Sequence, residues 1–156
     1  MISNFRGQNG FLSNFYPAEV DFEGDSYPTS EHAFQAAKTL DPEMRAYIRK
    51  LPTPAEAKRA GKRVELRPLW DDIKRDVMYI LLLRKFADEK LREKLLATGD
   101  ELLVEGNWWG DTYWGAVHQP YADARLWTDP HSPTFYGENH LGRLLMRVRK
   151  EIREEG

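Results

Sequence analysis

The sequence contains no cysteine. Disulfides, thiolate zinc sites and cysteine nucleophiles are excluded in one step. No stretch approaches the roughly 18 consecutive apolar residues that read as a membrane span, so no membrane association is expected. The first residues, Met1-Ile2-Ser3-Asn4-Phe5-Arg6, have no apolar run behind their positive charge and do not read as a secretory signal. With the missing cysteine, this fits a reducing, cytoplasmic setting. Charge of one sign is also scarce: 23 basic residues face 25 acidic ones, a net charge of -2. That balance argues against a broad nucleic-acid surface but leaves room for a local basic pocket around one or two phosphates. The four histidines lack metal-ligand spacing, so no zinc site is expected. No repeat, low-complexity stretch or linker divides the chain.

What is present fits one domain spanning residues 1–156, with 41% hydrophobic residues for a single core. Through Pro28 the pattern is short strands and turns. Ala18, Val20 and Phe22 alternate with polar residues, and Glu23-Gly24-Asp25 reads as a turn. Helical signals follow. Thr29 and Ser30 are caps for a helix to about Lys38, and Asp41-Pro42-Glu43 opens another. Thr53-Pro54-Ala55-Glu56 is a capping box, with Gly61 as its stop. Pro68 opens a longer helix with Ile73, Val77, Ile80, Leu81 and Arg84 on one side. Another helix runs from about Asp88 to Gly99 with Leu91, Leu95 and Leu96 inward. Leu102 and Val104 predict a short strand, as does the neighbourhood of Tyr113 to Val117. Residues 118–138 show no clear period and read as an ordered loop or insertion. The last helix begins near Asn139, with Leu141, Leu144, Leu145, Val148 and Ile152 at helical spacing. The class expected is α+β, mostly helical, with a small β-sheet.

On the first of these helices Glu31, Gln35 and Lys38 share a face, being four and three residues apart. Such a face is often a solvated stripe. Ala33, Ala36 and Ala37 favour close neighbours instead, Phe34 can anchor the helix to the core, and Tyr27-Pro28-Thr29 fixes its approach. If the face is enclosed, its chemistry becomes specific. Burial lowers a lysine pKa and raises a glutamate pKa, while their mutual attraction opposes both. A neutral lysine can attack an aldehyde-level carbon, and a nearby carboxyl can move protons onto a leaving nitrogen. C1 of an aminoribose is such a carbon. His32 points about 100° away and reads as structural.

The densest signal is Gly106-Asn107-Trp108-Trp109-Gly110-Asp111-Thr112-Tyr113-Trp114-Gly115. Its glycines permit close backbone approach, and Asn107 and Asp111 can hold sugar hydroxyls or orient water. Trp109 and Trp114 can stack on a base or fill an aromatic corner of the core. Near the start, Arg6 and Gly7 open a polar loop in which Arg6 suits a phosphate, and Ser13, Asn14 and Phe15 could meet a base. Asn139 and His140 open the final helix. Asn139 is a natural cap, and free backbone N–H groups there could hold an anion.

Read together, Gly10-Phe11-Leu12-Ser13-Asn14-Phe15-Tyr16-Pro17, the run from Tyr27 to Lys38, Thr53 to Arg63, Gly106 to Gly115 and Asn139 to Arg149 resemble the NADAR family, in order and over nearly the whole chain. The resemblance implies cleavage of the N-glycosidic bond between a ribose C1 and an exocyclic amine. The implied substrates are phosphoribosylamino-pyrimidines of early riboflavin synthesis or ADP-ribose attached to guanine. It places the family's functional glutamate and lysine on Glu31 and Lys38, and its Asn, Trp and Asp on Asn107, Trp109 and Asp111. One departure is residues 118–138, including Tyr121, Arg125, Trp127 and Tyr136, where the family has a short connection. That segment reads as a lid or specificity loop.

The expectation is therefore hydrolysis through a lysine Schiff base. Glu31, Lys38 and Asp111 are catalytic. Arg6, Gly7, Ser13, Asn14, Phe15, Gln35, Asn107, Trp109, Trp114, Asn139 and His140 bind substrate, with phosphate held by Arg6 and the start of the last helix. No metal or organic cofactor is needed. The partner is a small phosphoribosyl or ADP-ribosyl molecule, with ADP-ribosylated nucleic acid as a further class; oligomeric state is left open. The competing expectation is a module that binds ADP-ribose or a nucleotide without turnover.

Overall fold

A computed structural model describes residues 1–118 and 135–156. They form two compact units: Asn14–Arg92, and Met1–Ser13 together with Glu93–Gly156.

The first unit opens on a hairpin, β1 (Val20–Phe22) paired antiparallel with β2 (Asp25–Tyr27) in the register Phe22 to Asp25 and Val20 to Tyr27. The turn is Glu23-Gly24, with φ of 45° and 93°. Positive φ at both central residues matches the right-handed strand twist, and glycine takes the second at no steric cost. Four helices follow: α1 (Ser30–Ala37), α2 (Pro42–Arg49), α3 (Pro54–Gly61) and α4 (Trp70–Lys85). The first three begin where the sequence predicts. Thr29, Asp41 and Thr53 each accept a backbone N–H two or three residues on, from His32, Glu43 and Glu56.

The fourth helix departs from prediction. It starts at Trp70 behind Leu69, a left-handed residue with φ of 61° and no side-chain cap. Its buried face is Trp70, Val77, Met78, Leu81, Leu82 and Lys85, whereas Ile80 and Arg84 are exposed. The ring of Trp70 on that of Phe34, centroids 5.2 Å apart, fixes this rotation.

The second unit contains a 3-10 turn at Gly7–Leu12, the strands β3 (Gly106–Asn107), β4 (Ala116–His118) and β5 (Phe135–Tyr136), and α6 (His140–Glu155). The helix α5 (Glu89–Ala97) runs across the division at Glu93. β3 pairs parallel with β4, and β4 antiparallel with β5. The strand expected at Leu102 and Val104 is reduced to one parallel bridge between Ile2 and Leu103. The strand expected from Tyr113 starts only at Ala116, because the carbonyls of Thr112, Tyr113 and Trp114 accept N–H groups of Glu138, His140 and Leu141.

The class is α+β with helices dominant, as predicted, but the strands form two small sheets rather than one. Of the predicted insertion, residues 119–134, with Tyr121, Arg125 and Trp127, lie outside the described residues; Tyr136 belongs to β5. No described helix is long and apolar enough to cross a membrane.

Candidate active site

All eight residues of α1 are buried. The small side chains of Ala33, Ala36 and Ala37 let α2, α3 and α4 all pack on this one helix. His32 holds its start, with Nδ1 2.7 Å from Thr29 Oγ1 and Nε2 2.9 Å from the Leu51 carbonyl. Its structural reading stands.

The solvated-stripe reading of Glu31 does not survive: the residue is only 7% exposed. Its backbone N–H donates to the Asn14 carbonyl at 3.1 Å, and Gln35 Nε2 donates to Glu31 Oε1 at 2.8 Å. Only the NH2 side of an amide can face a carboxylate, so the bond fixes the orientation of Gln35. Gln35 Oε1 is then turned towards Gly61, where it accepts no hydrogen bond among the described residues. A Cβ at Gly61 would fall 1.8 Å from that oxygen. The glycine is thus required by the close approach of α3 to the side chain that holds Glu31.

Lys38 ends α1 half-buried, its amine 5.8 Å from the centre of the Phe34 ring. The Lys38 carbonyl accepts the Arg67 N–H at 2.7 Å, which ties the helix end to the loop before α4. Burial pushes the lysine pKa below its ordinary value. Glu31 pulls the other way, and Lys58, Lys62 and Lys74 add to the lowering. A buried carboxylate, electrostatically linked to an amine that gives up its proton readily, is equipped for proton transfer and covalent capture of an aldehyde-level carbon.

Asn14 serves the same helix. Its Oδ1 accepts from Ser30 Oγ at 2.9 Å, and its amide lies 3.6 Å from Met78 Sδ. That leaves little of it to read a base edge. Phe15 is 41% exposed.

In the other unit, Arg6 and Gly7 are exposed at the head of the 3-10 turn, and Ser13 ends it. Three residues expected at the site, Asn107 and Asn139 as substrate-binding and Asp111 as catalytic, make internal hydrogen bonds with their side chains. Asn107 is 1% exposed, and its side chain is occupied: Nδ2 donates to the Asp111 carbonyl at 2.8 Å while Oδ1 accepts the Asp111 N–H at 3.0 Å. It clamps the loop. Asp111 Oδ1 in turn accepts the N–H groups of Tyr113 and Trp114, both at 3.0 Å, so this carboxylate shapes the turn. Asn139 has φ of 53° and makes no side-chain cap. Its amide bridges the Leu103 carbonyl and the Glu105 N–H instead.

The anion site expected at the start of α6 is also spent. The N–H groups of Asn139, His140 and Leu141 donate to the carbonyls of Gly115, Tyr113 and Trp114. His140 stacks on Tyr113 at 4.5 Å and lies edge-on to Trp114, which is half-buried. Trp109 and its neighbour Trp108 are 56% and 70% exposed, so they belong to a surface rather than an aromatic core. Trp108 belongs to the tryptophan-rich run but was not among the expected site residues; its ring lies tilted against His118 with centroids 4.4 Å apart. Lys58, Lys62 and Lys74 were not among them either. The lysines were legible only as ordinary helix-surface charge.

α1 thus carries a buried carboxylate and ends on a half-buried lysine of lowered pKa. The pattern defining the NADAR domain matches residues 3–153, and the chain belongs to this family. The N-glycosidase YbiA of Escherichia coli (strain K12) is 37% identical over 146 residues, covering 92% of this chain and 81% of that protein. The riboflavin biosynthesis protein VVA0006 of Vibrio vulnificus (strain YJ016) is 35% identical over 149 residues. That alignment covers 94% of this chain, which spans about a third (36%) of the length of the Vibrio protein. The NMR structure of E. coli YbiA superposes with a TM-score of 0.76 at 35% identity, covering 99% of this chain and 88% of that one. At this identity and coverage the chain is a hydrolase of the N-glycosidase class.

Proposed function

We propose that the chain hydrolyses the bond between ribose C1 and the exocyclic amine of a phosphoribosylamino-pyrimidine, through a Schiff base on Lys38. The observation that carries this reading is the buried Glu31, held by Gln35, on the same helix face as a lysine of lowered pKa. The name of the Vibrio relative, a riboflavin biosynthesis protein, supports the pyrimidine over ADP-ribosylated guanine as substrate.

Lys38 first passes a proton to the Glu31 carboxylate, which delivers it to the ring oxygen as the C1–O bond opens and C1 forms an imine with the leaving nitrogen; the pair regains its proton arrangement when the product leaves. The neutral Lys38 amine adds to C1. One of its protons passes by way of Glu31 to the leaving nitrogen, the C1–N bond breaks, and the free amine departs. Water then adds to the Lys38 imine, and the released aldehyde closes to ribose 5-phosphate. Atoms balance as one water consumed. The NH2 of Gln35 keeps the Glu31 carboxyl oriented throughout.

The test is borohydride reduction during turnover. It should leave a ribosyl adduct on Lys38, seen by peptide mass spectrometry, and Lys38→Ala should abolish both adduct and turnover. Full-rate hydrolysis by Lys38→Ala would sink the covalent route. Running ADP-ribosylated guanine beside the pyrimidine substrate decides the leaving group, and tight binding of ribose 5-phosphate without cleavage of either would favour a non-catalytic module.

A further inference from the structure

With the start of α6 spent on internal hydrogen bonds, a phosphorylated substrate needs its anion held elsewhere. In the Asn14–Arg92 unit, two contacts bring three helices to one place. Gly61 lets α3 close on Gln35, and Phe34 meets Trp70 of α4. Lys38 lies one helical turn beyond Phe34, and Lys74 one turn beyond Trp70. Lys58 and Lys62 flank Gly61 and are themselves one turn apart on α3. We infer that Lys58, Lys62 and Lys74 form a phosphate subsite beside Lys38, which takes the phosphoryl group on the ribose 5′ oxygen while C1 meets the Lys38 amine.

The inference rests on the glycosidase reading above and deepens it. Lys58, Lys62 and Lys74 are all among the charges that lower the Lys38 pKa. Lys58 and Lys62 are exposed. Lys74 keeps 23% of its side chain exposed and is paired at 3.3 Å with Asp71, whose side chain is 87% exposed. A pair that open to water is weak, and a phosphate dianion competes with it. Charges from two helices around one point suit a compact anion. A nucleic-acid strand needs an extended track of cations, which a chain of net charge -2 does not supply.

The experiment is calorimetric titration of the full chain with ribose 5-phosphate and with ADP-ribose, ribose serving as control. The variants are Lys58→Gln/Lys62→Gln and the charge-keeping Lys58→Arg/Lys62→Arg; all four exposed substitutions leave the folded core untouched. The glutamine pair should weaken binding of the phosphorylated ligand about tenfold or more, the arginine pair should restore it to within a few-fold, and added salt should weaken it in the wild type. The tighter of the two ligands shows whether the phosphate bound is terminal or bridging. Equal binding by wild type and the glutamine pair, or binding of ribose as tight as that of ribose 5-phosphate, overturns the subsite. The two readings fail separately. Binding lost in the glutamine pair while the wild type cleaves no ribosylamine leaves the subsite and removes the glycosidase; turnover with binding unchanged does the reverse.

Discussion

Gly61→Ala offers a direct test of how the candidate site is held. The added methyl would sit 1.8 Å from Gln35 Oε1, 2.7 Å from its Cδ and 3.1 Å from its Cβ. The first two distances are impossible, so the Gln35 amide must swing aside. Its Nε2 then leaves Glu31 Oε1, now 2.8 Å away. A hydrogen bond to a charged group is worth about 1.5–3 kcal/mol. Alanine in a helix returns up to about 1 kcal/mol relative to glycine, less at the last position of α3. The net cost is about 1–2 kcal/mol, which for a chain of this size lowers Tm by roughly 2–8 °C. Calorimetry and urea denaturation measure it, with N-glycosidase kcat alongside, which should fall as Glu31 loses its orienting donor. In a Gln35→Ala background the two impossible contacts disappear and only the 3.1 Å approach to the Cβ of residue 35 remains, so the same substitution should cost clearly less there than in the wild type. The reasoning is refuted if Gly61→Ala matches wild type in both Tm and kcat, or if the two substitutions are additive within about 0.5 kcal/mol.

Further predictions concern charge and the tryptophan loop. Lys38, whose pKa is lowered chiefly by burial, should react with an acylating reagent at lower pH than a lysine of ordinary pKa 10.5, and Glu31→Gln should move that inflection lower still. An inflection at or above 10.5 would contradict the site's electrostatics. The same shift links to stability. The unfolded chain holds the lysine proton more tightly, so this residue's contribution is least favourable below the folded-state pKa and improves as pH rises towards 10.5. Asn107→Asp replaces a donor with an oxygen facing the carbonyls of Asp111, Glu105 and Ala116. It should cost about 2–3 kcal/mol in urea denaturation and alter tryptophan fluorescence; a wild-type midpoint would show that the clamp is dispensable.

What the sequence disclosed and what it concealed divide by the range of the forces involved. Thr29, Asp41 and Thr53 cap helices through bonds two or three residues long, so their roles were readable from spacing. The face shared by Glu31, Gln35 and Lys38 was readable for the same reason; its burial was only hinted at by Ala33, Ala36 and Ala37, because burial depends on α2, α3 and α4 arriving from elsewhere in the chain. The buried side of α4 defied polarity, with Ile80 outside and Lys85 inside, since the Trp70 contact sets the rotation. Asn139 looked like a cap by residue type, yet its amide spans two backbone groups more than 30 residues away in sequence. Asn107 and Asp111 stood out by their place among glycines, but their hydrogen bonds to the loop backbone were not readable from residue type.

The burial of every residue of α1 has a consequence for how the protein can vary. A helix with no solvent face has no neutral positions, so substitutions that would retune Glu31 or Lys38 also disturb folding, and drift in the reacting groups is held in check by the demand for a folded chain. Room for change lies instead at the exposed Lys58 and Lys62. Directed evolution of such a chain should therefore alter what is held before it alters how the bond is cut. Libraries aimed at new substrates belong on those surfaces, with α1 left as it is.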